Sequence, residues 1–375
     1  MNSVDRIADR LRALADEFAI EPETLEHFID QAVVWLAWYV LHADPNRPFF
    51  HRQNDLVSQW GGPNADNVYR HARIDPSKRY VIRGRMHSCE EFILAIRAGF
   101  MHNEVWGTLT TLTASDIGVG AGDDFEIHLG GDAPGAVELP DGALMVSIRE
   151  YYFEWQAEEP AFFTIECLDP EPQPPIDGAT LDARLDAAMA GMHDSLRYWV
   201  DYMADNRAER IDNSFSTKTV ALPTKGLTAA RYEFCFWDLA PDQALIIETT
   251  EPAARYWAAQ LYMMRTFELV DQYGAITSRN HLQTEASTDG VYRFVLAASD
   301  PGVPNWLDTT GRRNGLCTIR WFWPTGDGRP EMSARVVPLS HVRNSLPADT
   351  PSVSPEARAA ELAQRQAHLR ARFRA

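Results

Sequence analysis

The sequence predicts an α+β protein built on two antiparallel β-sandwich, jelly-roll-like domains that arose by internal duplication and carry inserted helices. Three observations predict it. Short strand signals follow one another without the regular helical crossovers of a βαβ chain. Amphipathic helical stripes stand mainly at the start, the middle and the end of the chain. And one strand–turn–strand pattern occurs twice: 125–129 (FEIHL), followed by Pro134-Gly135, matches 292–296 (YRFVL), followed by Pro301-Gly302, at a constant offset of 167. Further on, Ser147-Ile148-Arg149 faces Thr318-Ile319-Arg320 at offset 171, so the second copy holds four extra residues in the intervening loop. Upstream, Arg79-Tyr80 is set against Arg231-Tyr232 at a different offset.

The elements follow in order. Residues 1–44 read as a helical pair: Ile7, Leu11, Leu14 and Phe18 recur at helical spacing, and the pattern restarts at Glu21-Pro22, since proline suits a first helical turn. Leu25, Phe28, Ala32, Trp35, Leu36 and Tyr39 then form a broad apolar stripe, so the helix over 25–41 is expected to cover the body of the protein or a second subunit of a homo-oligomer. Residues 45–176 form the first sandwich, with a turn cluster at Gly61-Gly62-Pro63-Asn64 and strands over 80–84, 92–96, 125–129, 143–153 and 162–168. The strand over 143–153 is apolar on both faces. No basic residue lies between Arg149 and Arg184, and the proline-rich end of that stretch reads as a linker. A connecting helix occupies 177–214, its core face marked by Leu185, Met189, Met192, Leu196, Trp199 and Met203. The second sandwich, 215–345, carries strands over 218–222, 232–237, 244–248, 292–296, 316–323 and 332–337, and an inserted helix over 252–273 that is apolar around its circumference. Residues 346–375 are a proline-rich linker and a basic helix with five arginines against two acids.

Composition narrows the function. Thirty-five basic against 53 acidic residues among 375 give a net charge of -18, a field that repels nucleic acid phosphates. Without the basic tail the body carries -21, so the tail is expected to lie on its own acidic surface. The longest apolar run, 32–41, has ten residues where a membrane span needs about 20. The first residues lack an export signal, which predicts a cytoplasmic protein. The four cysteines lie far apart, and three sit inside apolar runs, as buried reduced thiols do.

The segments Asn64–Tyr69, Arg73-Ile74-Asp75, Ser147–Trp155 and, above all, Asp300–Asp308 (DPGVPNWLD) with Arg320-Trp321 together resemble the bacterial family known as domain of unknown function 1214, often paired with a related 1254 module. The resemblance spans about 44 to 337. It implies a two-sandwich, jelly-roll-like architecture with inserted helices, and it implies no reaction.

Motifs for phosphate loops, dinucleotide folds and serine hydrolases are absent, and no cofactor is predicted. His102 and Glu104 have the spacing of two metal ligands on one strand face, with His128 or His281 as a third, but nothing in the sequence gathers them. Arg149 and Arg320 occupy equivalent positions beside aromatic residues, where a guanidinium either holds a substrate carboxylate or sulfate or pairs with a structural acid at the sandwich rim, the commoner arrangement. Asp66, Asn67 and Tyr69 belong to a polar turn; Asn280 and Gln283 follow the expected inserted helix; Tyr151, Trp155 and Trp306 are aromatic neighbours. These ten residues are the candidate pocket. The function they support is that of a binder or enzyme taking a small, largely apolar metabolite in a cleft between sandwich and helices. The alternatives are a structural assembly protein, whose aromatic residues only fill two cores, and a metal-dependent oxygenase or lyase.

Overall fold

The computed structural model describes residues 3–56, 58–156, 159–216 and 230–373. Helices α1 (Ser3–Glu17) and α2 (Leu25–Leu36) open the chain, and a π-turn over Ala37–Leu41 prolongs α2. The first sandwich contains β1 (His51–Arg52), β2 (Asn67–Arg73), β3 (Tyr80–Arg85), β4 (Glu91–Ala98), β5 (Gly107–Thr113), β6 (Asp124–Leu129), β7 (Ala143–Tyr151) and β8 (Phe162–Cys167). Helix α3 (Gly178–Ala208), capped by the Asp177 carboxylate, leads to β9 (Ala230–Asp238), β10 (Gln243–Thr249), β11 (Ala254–Tyr262), β12 (Ser278–Asn280), β13 (Tyr292–Ala297), β14 (Trp306–Asp308), β15 (Asn314–Pro324) and β16 (Met332–Pro338). Helix α4 (Pro355–Arg372) ends it.

The repeat is visible in the topology. The order β2-β7-β4-β5 of the first large sheet, extended at one edge by β1, matches β9-β15-β11-β12, and β6-β3-β8 matches β13-β10-β16. Even the parallel contact recurs: Leu129 bridges Val137 as Leu296 pairs with Leu307 on β14. The equivalence corrects one expectation. Tyr80 lies on β3 and Tyr232 on β9, so they are not counterparts; the equivalent of β9 in the first sandwich is β2, and Tyr232 corresponds to Tyr69.

The expected inserted helix over 252–273 is absent. Its first half is β11, hydrogen-bonded between β12 and β15, and a turn region follows. The apolar circumference has a different cause: β11 is covered on both faces, and a doubly buried strand has the same all-round apolarity as a buried helix. β4, β7 and β15 share this pattern, whereas β8 alternates exposed and buried residues. Four sheets stack in layers, with the five-stranded sheet and the four-stranded β9-β15-β11-β12 sheet inside. One core lies in the first sandwich (Ile82, Phe92, Leu94, Ile148, Phe163) and one in the second (Trp237, Leu245, Trp257, Phe294, Ile319). A third cluster, Tyr151, Phe153, Tyr256 and Phe322, joins the two inner sheets. Gly315 lets the Trp237 indole cross β15, where a Cβ would stand 2.3 Å from the ring. The strand expected over 218–222 lies outside the described residues.

The helices close one end of this joint. Phe28, Trp35 and Trp38 of α2 and its extension, and Met192, Leu196 and Trp199 of α3, pack against Met145, Phe234, Phe236 and Tyr262 of the inner sheets. The other face of α2 leaves Leu25, Ile29 and Val33 exposed. α1 runs alongside α3, bonded through Arg6–Asp182, Arg10–Asp186 and Glu17–Arg197. α4 folds back onto the body as expected, but only partly through charge. Arg358 meets Asp300, while Arg365 and Arg372 are buried over the Trp155 ring, and Arg372 donates to the Ala65 carbonyl at 2.6 Å. No helix among the described residues is long and apolar enough to cross a membrane.

Candidate functional site

Side chains alternate along strands, so one face of each inner sheet points into the joint between the sandwiches. On the first sheet this face presents Tyr69 and His71 of β2, Met145, Arg149 and Tyr151 of β7, and Arg97 of β4. On the second it presents Tyr232 and Phe234 of β9, and Arg320 and Phe322 of β15. These residues line a cavity of about 160 Å³, closed at the side by Tyr198, Trp199 and Tyr202 of α3 and by the loop through Gly61-Gly62-Pro63.

The repeat puts one motif on both walls. Tyr69 pairs across strands with Arg149, whose guanidinium lies 5.7 Å from the ring centre; Tyr232 pairs with Arg320 in the same register, at 5.0 Å. Two residues beyond each arginine, Tyr151 and Phe322 meet at 5.5 Å across the joint. At the position where the first wall carries Arg97, the second carries Tyr262, whose hydroxyl donates to the Pro63 carbonyl at 2.6 Å.

The charge of this cavity is unbalanced. Arg97 is 7% and Arg320 2% exposed, and Arg149 is half-buried. Among the described residues none of the three has a carboxylate within ion-pair distance, and no Asp or Glu lines the cavity. The reading of Arg149 and Arg320 as rim ion pairs is therefore replaced by a cationic interior. Arg320 donates to the Gly62 carbonyl at 3.2 Å and reaches Gln260 Oε1 at 3.4 Å, but its Nε and the Nη1 of Arg149 have no partner. Burial, reinforced by the charge of Arg149, pushes Arg97 down to about 9. Burial first, and then neighbouring positive charges that include Arg97 and Arg149, hold His71 and His102 well below the usual imidazole range, so both are neutral at pH 7 with Nδ1 unpartnered. The wall offers donors and aromatic surface, and neither a thiol nor an aliphatic hydroxyl.

Gly61 and Gly62 make the loop possible. Both have positive φ (86° and 68°), their amides bond to the carbonyls of Thr266 and Phe267, and a Cβ on Gly62 would lie 2.6 Å from the Phe267 ring. The turn cluster seen in the sequence thus delivers a carbonyl to Arg320.

The ten predicted residues divide. Tyr69, Arg149, Tyr151 and Arg320 line the cavity. Asp66, Asn280 and Trp155 form a buried hub beside it: the Asp66 carboxylate accepts from Tyr256 Oη at 2.5 Å, Trp155 Nε1 at 2.7 Å and Asn280 Nδ2 at 2.9 Å. Asn67 is buried on β2 opposite Tyr151. Gln283 turns away to the groove along α4, bonding back to Asn280, and Trp306 lies on the far sheet under Arg358. The metal pair does not form. His102 and Glu104 sit in a turn rather than on a strand, His102 stacked on Tyr198 and Glu104 exposed, while His128 is on β6 of the outer sheet. Among the described residues no three His, Cys, Asp or Glu side chains gather as a metal site. Sequence reasoning missed Arg97, His71, Tyr232 and the Tyr198–Tyr202 pair. Aligning Tyr232 with Tyr69 in the repeat is the signal that finds the second wall.

The fold is similar to that of an uncharacterized protein from Burkholderia cenocepacia, at a TM-score of 0.80 and 23% identity over 90% of this chain and 97% of that one. A protein from Vibrio parahaemolyticus is more distant, at a TM-score of 0.47 and 12% identity over 82% of this chain and 96% of that one. No family model and no curated protein matches the chain.

Proposed function

We propose that this protein binds a small organic acid with an apolar, ring-stacking body in the cavity between its two sandwiches. One observation carries the reading: three guanidinium groups without a carboxylate partner converge on a space walled by aromatic rings. A buried charge without a counter-ion is costly, and an anionic ligand is the group that completes it. A volume near 160 Å³ matches the size of cavity that accepts benzene. His71 and His102 are the neutral bases at hand should the acid also be turned over. The segments that resemble the domain of unknown function 1214 family include Tyr69, Arg149 and Arg320, and membership of that family is part of the same proposal.

The test is native mass spectrometry of the purified protein, followed by thermal shifts with benzoate and short-chain carboxylates against the matching amides. Acids should raise the melting temperature and amides should leave it unchanged. An empty protein that responds to no acid at millimolar concentration refutes the reading. A second reading, self-association, is supported by the exposed row Leu25, Ile29 and Val33 on α2. It expects a dimer in light scattering that Ile29→Glu dissociates.

A further inference from the structure

We infer that the ligand is a dicarboxylate, with one acid group for each Tyr–Arg pair; this rests on the proposal that the cavity binds an organic acid. The two pairs, Tyr69–Arg149 and Tyr232–Arg320, are the same cross-strand unit on opposed walls of one cavity. Each guanidinium keeps an unpartnered nitrogen, Arg149 Nη1 on one wall and Arg320 Nε on the other. A single carboxylate held by one pair leaves the cation of the other without a counter-ion, whether the buried Arg320 or the half-buried Arg149. Charge points the same way, because Arg97 adds a third positive group to the first wall, and a monoanion leaves two of the three uncompensated. The aromatic lining of the cavity, with Tyr151, Trp199, Tyr232 and Phe322 among its residues, suits an apolar spacer between the acid groups. The class indicated is a compact diacid with a planar or short aliphatic spacer.

Matched ligands on the unmodified protein test this by calorimetry: terephthalate and isophthalate against benzoate, succinate and glutarate against butyrate, with phenyl phosphate as a dianion of one head group. A diacid should bind roughly ten- to hundredfold tighter than its monoacid, the gain expected from one more charge-assisted contact. Arg320→Gln should narrow that ratio, and the variant's far-ultraviolet circular dichroism checks its fold. Equal affinity for diacid and monoacid overturns the inference while leaving organic-acid binding intact. Tighter binding of phenyl phosphate than of every diacid also overturns it, because a single doubly charged head then accounts for the site. Failure of all acids to bind removes the underlying reading instead.

Discussion

Replacing Arg97 by methionine should stabilise the empty protein. In the folded state burial and the nearby Arg149 charge push this guanidinium from its ordinary value down to about 9. At about 1.4 kcal/mol per tenfold change in proton affinity, keeping it charged costs roughly 5 kcal/mol. Methionine retains the aliphatic stem and removes the charge, but gives up the contact with the Trp106 ring. With that contact worth about 2 kcal/mol when desolvated, a net gain of roughly 3 kcal/mol follows, which for a chain of this length is about 4 °C in melting temperature. The sign also fixes a pH signature. The unfolded chain holds the Arg97 proton up to its ordinary value and the folded chain releases it near 9, so wild-type stability gains from this group as pH rises through that interval. The variant lacks the gain. Urea unfolding of both proteins at pH 7.5 and 10 measures it. A variant destabilised by 2 kcal/mol or more at pH 7.5 would show that Arg97 is already compensated, and the charge argument for the cavity would fail with it.

Three further outcomes follow from the same geometry. Asp66→Ala strands the donors of Tyr256, Trp155 and Asn280 and should cost about 3–5 kcal/mol in chemical unfolding; a loss below 1 kcal/mol removes the hub. Gly62→Ala meets both the positive φ and the Phe267 ring, so it should lose about 1–3 kcal/mol and weaken acid binding together, which unfolding and calorimetry on one sample separate. Acid should destabilise the protein early: burial holds His42 down at about 4 and His51 at about 3, so below pH 6.5 the unfolded chain takes up protons that the folded chain refuses. Each contributes a loss of up to about 1.4 kcal/mol per pH unit. The unfolding midpoint should fall steeply between pH 6.5 and 5 and less steeply in His51→Phe; a flat profile counts against buried neutral imidazoles.

The sandwiches were legible in the sequence because edge and outer strands such as 125–129 and 162–168 alternate, and because the Ser-Ile-Arg and Thr-Ile-Arg strands carry the repeat. β11 was not, since a strand buried on both faces loses the period-two signal that separates it from a helix. β5 (GTLTTLT) was missed because a β-bulge at Leu109 sets its two leucines three residues apart and breaks the alternation, and β2 (NVYRHAR) because two arginines and a histidine dilute its apolar signal beside a turn cluster. The candidate site was half legible. Arg149 and Arg320 stand out by equivalence, whereas Arg97 sits in a strand that reads as plain core, and only the folded sheet register sets it opposite Met145, on the same face as Arg149 and four residue pairs along. That these arginines lack acids is invisible in a chain with 53 acidic residues.

The two walls of the cavity are separate copies of one strand pair, and their facing side chains meet where Tyr151 touches Phe322. Each can therefore drift on its own. A substitution in one copy alters recognition at one end of a bound molecule and leaves the other end in place, and Arg97 opposite Tyr262 is already such a divergence. Selection on this scaffold can change one half of its specificity at a time, keeping an anchored ligand while the second contact is rebuilt.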